Sequence, residues 1–278
     1  MVTPNLAIVA GTGALPRELA QQCQSDGRGY QVVVFDGIDL DWVGDHPIIS
    51  AKYEKPNALF KALKKADCSE VVFAGAMVRP QLNPLKFDLK LMKLAPKLLP
   101  ALKSGDDTAL SMIAKIFEAE GLTIVPAHSI LDGLLANGGT WTTSKPNDQD
   151  KRDIDRAFSI LDAMAVADVG QACVVGQGIC LGMESIQGSD VLLKFVEDTK
   201  IAFLDAAQDG AGVFTKAPKS GQDERMDMPT IGLGTVQAAI DAKLAGIAIQ
   251  SGGVQVLDKE NCIALADKHG LFITAVDR

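Results

Sequence analysis

Leu6-Ala-Ile-Val-Ala-Gly-Thr-Gly-Ala-Leu-Pro-Arg-Glu-Leu-Ala-Gln-Gln-Cys23 is the stretch whose reading decides the fold class. Leu6 to Ala10 is an uninterrupted apolar run, as in a strand buried on both faces of a parallel sheet. Gly11-Thr-Gly13 turns the chain, and Ala14 to Cys23 reads as a helix. Strand, glycine turn and helix in that order put free amides and the partial positive end of a helix beside the strand's carboxyl edge, which suits a phosphate. A dinucleotide fingerprint would need G-x-G-x-x-G/A, and the slot after Gly11 and Gly13 is Pro16, a residue better suited to the first turn of a helix. Nicotinamide binding therefore stays an alternative rather than the leading reading.

Working outward, Val32 to Phe35 supplies a second strand ending at Asp36, and Glu70 to Gly75 a third. Gly75 falls at a carboxyl edge, where ligands of open α/β sheets bind. Asn57 to Lys65 reads as a helix, and Gly121 to His128 contains a further strand, with His128 expected to be a hydrogen-bonded structural residue. Asn137 to Asp150 is polar, holds Gly and Pro and lacks periodicity, as a linker does. With 278 residues, two domains are expected: 1–136, a linker at 137–150, and 151–278.

The second half reads as α+β. Lys151 to Met164 is helical, with Ile154, Ala157, Phe158 and Leu161 on one face. Gly170 to Val175 and Ile179 to Glu184 form a hairpin through Gly176-Gln-Gly178, and a helix follows with Ser189 or Asp190 as its N-cap. Gly246 to Ile249 with Val254 to Leu257 suggests a second hairpin. The expected class is α/β: a small Rossmann-like parallel-sheet N-terminal domain and an α+β C-terminal domain on a mixed sheet, with the ligand cleft between them.

Composition narrows the function. Hydrophobic residues at 47% and charged residues at 22% describe an ordinary globular protein. A net charge of -8 argues against nucleic acid as the partner. The five Cys are scattered and show no C-x-x-C spacing, which disfavours a disulfide framework or a zinc knuckle. The N-terminus lacks a basic n-region, and no run reaches the ~18 apolar residues of a membrane span, so a cytosolic protein is expected. Within this acidic chain, Leu85 to Lys103 alternates Lys86, Lys90, Lys93, Lys97 and Lys103 with Leu, Met and Phe. Two readings stand: a basic amphipathic helix lying on an anionic bilayer, or a packed helix with a solvated Lys face, interrupted by Pro96 and Pro100.

The chemistry concentrates in Lys216-Ala-Pro-Lys-Ser-Gly-Gln-Asp-Glu-Arg-Met-Asp-Met-Pro-Thr-Ile-Gly232. Pro218, Gly221 and Pro229 keep most of it out of regular helix, and it sets Lys216, Lys219 and Arg225 beside Asp223, Glu224 and Asp227. Cations next to carboxylates in a loop suit phosphate and metal chemistry, the alternative being a solvated surface loop. This loop resembles the signature of the LpxI family, the UDP-2,3-diacylglucosamine pyrophosphatases of lipid A synthesis, which reads K-x-x-K-x-x-Q-x-x-R-x-D-x-P-x-I-G. Lys216, Lys219, Gln222, Arg225, Asp227, Pro229, Ile231 and Gly232 fall on it. Gly11, Gly13, Leu15 and Pro16 match the family's G-G-G-x-L-P loop, with Thr12 in place of a Gly. Gly75 and Arg79 fit its G-x-V-x-R-P element, and Asp106 and Asp107 a G-D-D element. Asp168, Gly170, Gln171, Gly178, Glu184, Gly188 and Asp190 follow its next block, where Gln187 replaces a Glu and Ser189 a Thr.

The resemblance implies hydrolysis of UDP-2,3-diacylglucosamine to 2,3-diacylglucosamine 1-phosphate (lipid X) and UMP at the cytoplasmic face of the inner membrane. Phosphoanhydride hydrolysis needs charge neutralisation and an in-line water more than a protein nucleophile. Asp227 is expected to hold Mg²⁺ or Mn²⁺, Asp223 to be a second ligand or to position water, and Lys216, Lys219 and Arg225 to hold phosphate oxygens. Expected substrate contacts are Gly11, Thr12, Gly13, Ala14, Leu15, Gly75, Arg79, Asp106, Asp107, Gln171, Gln187, Gly188, Ser189, Asp190 and Gln222. A homodimer is expected from symmetry statistics. The rivals are an NAD(P)-dependent nucleotide-sugar oxidoreductase and a non-enzymatic nucleotide-lipid binding module.

Overall fold

A computed structural model describes residues 3–77, 80–102, 106–205, 211–219 and 221–278. The chain divides into two units, one of Met1–Asp132 with Asp223–Asp227, the other of Gly133–Gln222 with Met228–Arg278.

Unit 1 is a five-stranded sheet in the order β3-β2-β1-β4-β5. Its strands are β1 (Asn5–Ala10), β2 (Tyr30–Phe35), β3 (Ile48–Ala51), β4 (Cys68–Ala74) and β5 (Thr123–Ile124), all pairing in parallel. Parallel strands need crossovers. Helix α1 (Leu15–Ser25) connects β1 to β2, α2 (Pro56–Lys65) connects β3 to β4, and α3 (Leu89–Leu102) with α4 (Asp106–Ala119) leads to β5. Ala7 and Val9 of β1, Val33, Leu63, Val71 and Phe117 share one core cluster, and Met226 is buried in it too. Residues 223–227 thus belong to a unit whose other members lie about ninety positions earlier in the chain or more. Pro96 and Pro100 sit inside α3 without ending it, although the sequence reads as interrupted there. Burial of Leu91, Leu98 and Ala101 along one side holds the helix, and the missing proline donors are tolerated because tertiary packing outweighs local propensity.

Unit 2 is built on a six-stranded mixed sheet in the order β6-β13-β11-β9-β7-β8. Its strands are β6 (Gly139–Thr140), β7 (Ala172–Gly176), β8 (Ile179–Met183), β9 (Val213–Lys216), β11 (Gly246–Gln250) and β13 (Phe272–Val276). A separate parallel pair joins β10 (Thr230–Ile231) to β12 (Gln255–Val256). Alternation along the strands builds two cores. Cys173, Val175, Val213, Ala248 and Phe272 pack with α5 (Asp148–Val166). Val174, Phe214, Ile247, Ile249 and Ile273 pack with α6 (Gly188–Thr199), α7 (Leu233–Asp241) and α8 (Lys259–His269).

The β7–β8 hairpin forms as expected, antiparallel with Val174 opposite Gly182. The second expected hairpin does not: β11 pairs in parallel with β9 and β13, while β12 pairs with β10. Gly246–Gln250 is buried almost throughout, and a strand apolar on both faces takes the centre of a sheet rather than one arm of a hairpin. Residues 137–150 are likewise no free linker. Gly139 and Thr140 pair with β13, and Asn147 and Asp150 form a reciprocal capping box that starts α5 at Asp148. Of the stretch that reads as linker, Gly139 and Thr140 are edge strand and Asn147 to Asp150 are the cap and first turn of α5. Ser189 and Asp190 lie inside α6, whose N-cap is Gln187, so neither is the expected cap.

Burial pushes the Cys173 thiol up, and those of Cys68 and Cys262 up to about 11. Cys180 is the partly exposed one of the five. A disulfide reagent at neutral pH should label Cys180 well before Cys173, and the reverse order by peptide mass mapping would contradict this packing. Gly75 has φ +83° and would set a Cβ 2.4 Å from the Thr12 carbonyl oxygen, whereas Gly37, at φ +89°, has open space. In urea unfolding, Gly75→Ala should cost more than about 2 kcal/mol and Gly37→Ala about 1 kcal/mol. Equal losses would contradict the close approach.

Candidate active site

In unit 1 the first candidate elements meet at the carboxyl edge of the sheet, after the neighbouring strands β1 and β4. Thr12 N donates to Ala76 O at 2.8 Å and Ala76 N to Thr12 O at 2.9 Å, stitching the two loops into a short antiparallel bridge. So close an approach leaves no room for a side chain at Gly11, where a Cβ would come 2.4 Å from Ala76 O. The Thr12 hydroxyl donates to Ala76 O at 3.3 Å. Helix α1 then starts with Ala14 at the N-cap, which offers no side-chain cap, and Pro16 lies in the first turn. Thr12, Gly13 and Ala14, which lead into the helix, are exposed, and Leu15 is buried.

The second unit-1 element is the turn 223–227. Asp223 Oδ1 accepts from Arg225 Nε at 2.9 Å and Asp223 Oδ2 from Arg225 Nη2 at 2.7 Å. Arg225 Nη1 donates to Glu118 Oε1 at 3.0 Å. Hydrogen bonding from Arg225 holds the Asp223 carboxyl below its usual range, and Asp223 raises Arg225 further. The two residues assigned separately to water or metal and to phosphate are therefore engaged with each other. The turn is closed by Met226 N donating to Asp223 O at 2.9 Å, with Asp227 N on the same oxygen at 3.3 Å. Met226 is buried and Asp227 exposed.

Unit 2 gathers the largest set. Lys216, at the end of β9, is 9% exposed. Its Nζ donates to Ser189 Oγ at 2.9 Å and to Thr230 O at 3.1 Å. Ser189 Oγ donates to Glu184 Oε1 at 2.7 Å, and Glu184 Oε2 accepts from Gln171 N at 2.9 Å. Gln171 Nε2 donates to Gln222 Oε1 at 3.1 Å, an oxygen that also accepts from Lys219 N at 3.1 Å. Lys219 Nζ pairs with Asp168. The chain of contacts runs from Lys216 through Ser189, Glu184, Gln171 and Gln222 to Lys219 and Asp168, and joins three segments distant in sequence. Buried cations need such compensation, since an isolated charge in a low-dielectric interior is costly.

The structure thus unites Gln171, Ser189, Lys216, Lys219 and Gln222. It adds Glu184 and Asp168, which lie on the resembling pattern but were not among the candidate site residues. Their signal was positional, since each stands a few residues from Gln171 or Ser189 in the same block. Gln187, Gly188 and Asp190 open α6; Gln187 and Asp190 are exposed, and Gln187 Nε2 donates to Met183 O at 3.4 Å. Asp106 and Asp107 are the first residues of α4, with side chains outside the description, and Arg79 lies outside the described residues. His128 departs from its expected hydrogen-bonded role: its Nδ1 is buried and finds no partner among the described residues. Among the described residues no group of three or more His, Cys, Asp or Glu is arranged to hold a metal, and no helix is long and apolar enough to cross a membrane.

Comparison with known proteins covers nearly the whole chain. The LpxI N-terminal domain family matches residues 5–134 and the LpxI C-terminal domain family residues 137–274. A Caulobacter vibrioides protein, UDP-2,3-diacylglucosamine pyrophosphatase LpxI, is 36% identical over 272 residues, 98% of this chain and 97% of that protein. Among solved structures, N5-carboxyaminoimidazole synthase from Aspergillus clavatus aligns at 10% identity and TM-score 0.23 over 69% of this chain and 43% of that one. An NAD-dependent epimerase/dehydratase from Methylobacillus flagellatus aligns at 11% identity and TM-score 0.30 over 100% of this chain and 89% of that one.

Two outcomes follow from the contacts. The depressed Asp223 carboxyl gives stability that is complete above its unfolded value of about 3.9 and is lost as pH falls through the lower folded value. Arg225→Gln should move the Asp223 titration, followed by carboxyl ¹³C NMR, up toward that ordinary value. An unchanged midpoint would show that Arg225 is not its partner. Lys216→Met should lower unfolding stability by about 3 kcal/mol, because it strands Ser189 and the buried Glu184, and Lys216→Met with Glu184→Gln should recover part of that loss.

Proposed function

The chain belongs to the LpxI family, and from that premise we propose that it hydrolyses the pyrophosphate of UDP-2,3-diacylglucosamine, releasing 2,3-diacylglucosamine 1-phosphate (lipid X) and UMP. The observation that carries this reading is the 36% identity to the Caulobacter pyrophosphatase across nearly the full length of both chains. In this reading the protein works in the cytoplasm, at the inner-membrane face where its two-chain substrate lies.

The chain's own residues divide the work by charge. Lys216 and Lys219 hold phosphate oxygens. Both side chains are largely withdrawn from water, where an ammonium attracts an anion far more strongly than at a surface. Ser189, Glu184 and Asp168 keep those ammonium groups in position before substrate arrives, so little reorganisation is needed at the reaction. Within unit 1, the start of α1 and the Thr12–Ala14 backbone are suited to an anion. Gln171 and Gln222 turn amide groups toward the same network and orient the substrate's polar groups. Arg225, already shared between Asp223 and Glu118, fixes the 223–227 turn and with it the position of Asp227.

Asp227 is the carboxylate this reading gives to Mg²⁺ or Mn²⁺. Mg²⁺ keeps several waters and is commonly held by one or two carboxylates together with substrate phosphates, and a single exposed carboxylate such as Asp227 is compatible with that role. When bound, such a metal withdraws charge from the phosphate oxygens and acidifies a water.

The test uses purified full-length protein, UDP-2,3-diacylglucosamine in detergent, Mg²⁺ or Mn²⁺, and ¹⁸O-water, with products followed by mass spectrometry. Wild type should yield UMP and lipid X, and Asp227→Ala should lose at least on the order of 10²-fold in rate. The labelled product identifies which phosphorus the water attacks. Absence of turnover by wild type with either metal, while the lipid nucleotide still binds, would replace hydrolysis with a binding role. A nicotinamide absorbance in the purified protein would favour an oxidoreductase instead.

A further inference from the structure

Helix α3 of unit 1 presents a face that the reaction does not use. Asp88 fixes its start: Asp88 Oδ1 accepts from Leu91 N at 2.8 Å, and Asp88 Oδ2 accepts from Asn57 N of α2 at 2.9 Å. Leu91, Leu98 and Ala101 are buried along its inner side. Lys90 also turns inward, pairing with Glu120 and lying 4.8 Å from the centre of the Phe60 ring. The outer side is different. Leu85, just ahead of the helix, is 95% exposed, Leu89 78% and Met92 59%. Leu89, Met92 and Pro96 follow one another at helical spacing, all exposed, and Lys86, Lys93 and Lys97 are exposed beside them.

Large exposed apolar side chains set among lysines are unusual on a protein whose net charge is -8. A second exposed apolar face, Val191 and Phe195 of α6, has a different surround. Its nearby charges are Asp190, Glu197 and Asp198, and its Lys194 is already bridged to the last two. Charge therefore separates the two faces: the α3 face complements an anionic surface and the α6 face does not. The prolines add a limit on depth. Pro96 and Pro100 cannot donate to the carbonyls of Met92 and Pro96, and backbone oxygens without an intrahelical donor belong in a hydrated layer rather than in hydrocarbon.

We propose that the outer face of α3 with its leading turn, residues Leu85 to Lys97, is an interfacial docking surface for an anionic lipid bilayer, with Leu85, Leu89 and Met92 entering the headgroup boundary and Lys86, Lys93 and Lys97 pairing with lipid phosphates. The inference deepens the proposed function, which requires the protein to reach a substrate with two acyl chains. A helix lying in the interface binds through apolar area and basic charge together, and each lysine near an anionic surface contributes about fivefold in binding.

The test is vesicle co-sedimentation of the full-length protein. One set of vesicles is phosphatidylcholine alone, and the other mixes phosphatidylcholine and phosphatidylglycerol in equal amounts. Two surface variants run beside wild type, Leu89→Glu/Met92→Glu and Lys86→Gln/Lys93→Gln/Lys97→Gln, each checked for an unchanged thermal melt. Wild type should bind the anionic vesicles, weakly or not at all the neutral ones, and less as salt rises. The lysine triple variant should lose on the order of 100-fold, and the glutamate variant at least roughly tenfold. Both should hydrolyse detergent-solubilised UDP-2,3-diacylglucosamine at the wild-type rate. Wild type that ignores anionic vesicles, or variants that bind as wild type does, would overturn the docking surface. If wild type binds vesicles as described yet does not hydrolyse the micellar substrate, the docking surface stands and the reading of the reaction falls.

Discussion

A buried ammonium has to be compensated where it lies, and at Lys216 that requirement organises one end of unit 2. The residue closes the buried strand β9 and is itself buried, so its charge needs partners within the protein. Its partners come from elsewhere in the chain: the hydroxyl of Ser189 in the first turn of α6 and the Thr230 carbonyl of β10. Ser189 passes the compensation on to Glu184 just after β8, and Glu184 holds the backbone of Gln171 just before β7. One cation thus ties the ends of several elements into a single polar arrangement. The same contacts that satisfy the fold also hold Lys216 and Lys219 in place, as the proposed phosphate role requires.

Unit 1 reaches a comparable result by other means. Its constraint is steric: the loops after β1 and β4 approach so closely that Gly11 and Gly75 admit no side chain. Backbone pairing between Thr12 and Ala76 then fixes the entry to α1, leaving its first-turn amides at the carboxyl edge of a parallel sheet. The family's Gly at the position of Thr12 is not needed for that approach. Thr12 keeps its backbone bonds, and its hydroxyl adds a bond to the same carbonyl oxygen as its amide.

The turn 223–227 shows how a charged loop can be two things in one stretch. Met226 is core, buried with Phe117 and Val71, while Asp227 beside it is exposed. Anchoring by Met226 and by the Asp223–Arg225–Glu118 contacts gives a carboxylate on a loop a defined place, which a solvated loop would not have.

Local pattern alone determined a good deal of this protein. Continuous apolar runs located β1, β2 and β4, and glycine placement located the β7–β8 turn. A period-3.6 face located α5, and residue types at fixed spacing marked the loop of Lys216 to Gly232 and its family. Each of these is decided by neighbours within a few positions, so the sequence carries it openly. Only the tertiary structure decided which strand pairs with which, because β11 and β12 lie as close in sequence as a hairpin would yet find their partners in β9, β13 and β10. Only tertiary packing keeps α3 intact across Pro96 and Pro100, makes Gly139 and Thr140 an edge strand and sets Asp223 on Arg225 and Lys219 on Asp168. Those outcomes depend on burial and charge compensation among residues far apart in the chain, and such terms exist only once the chain has closed on itself.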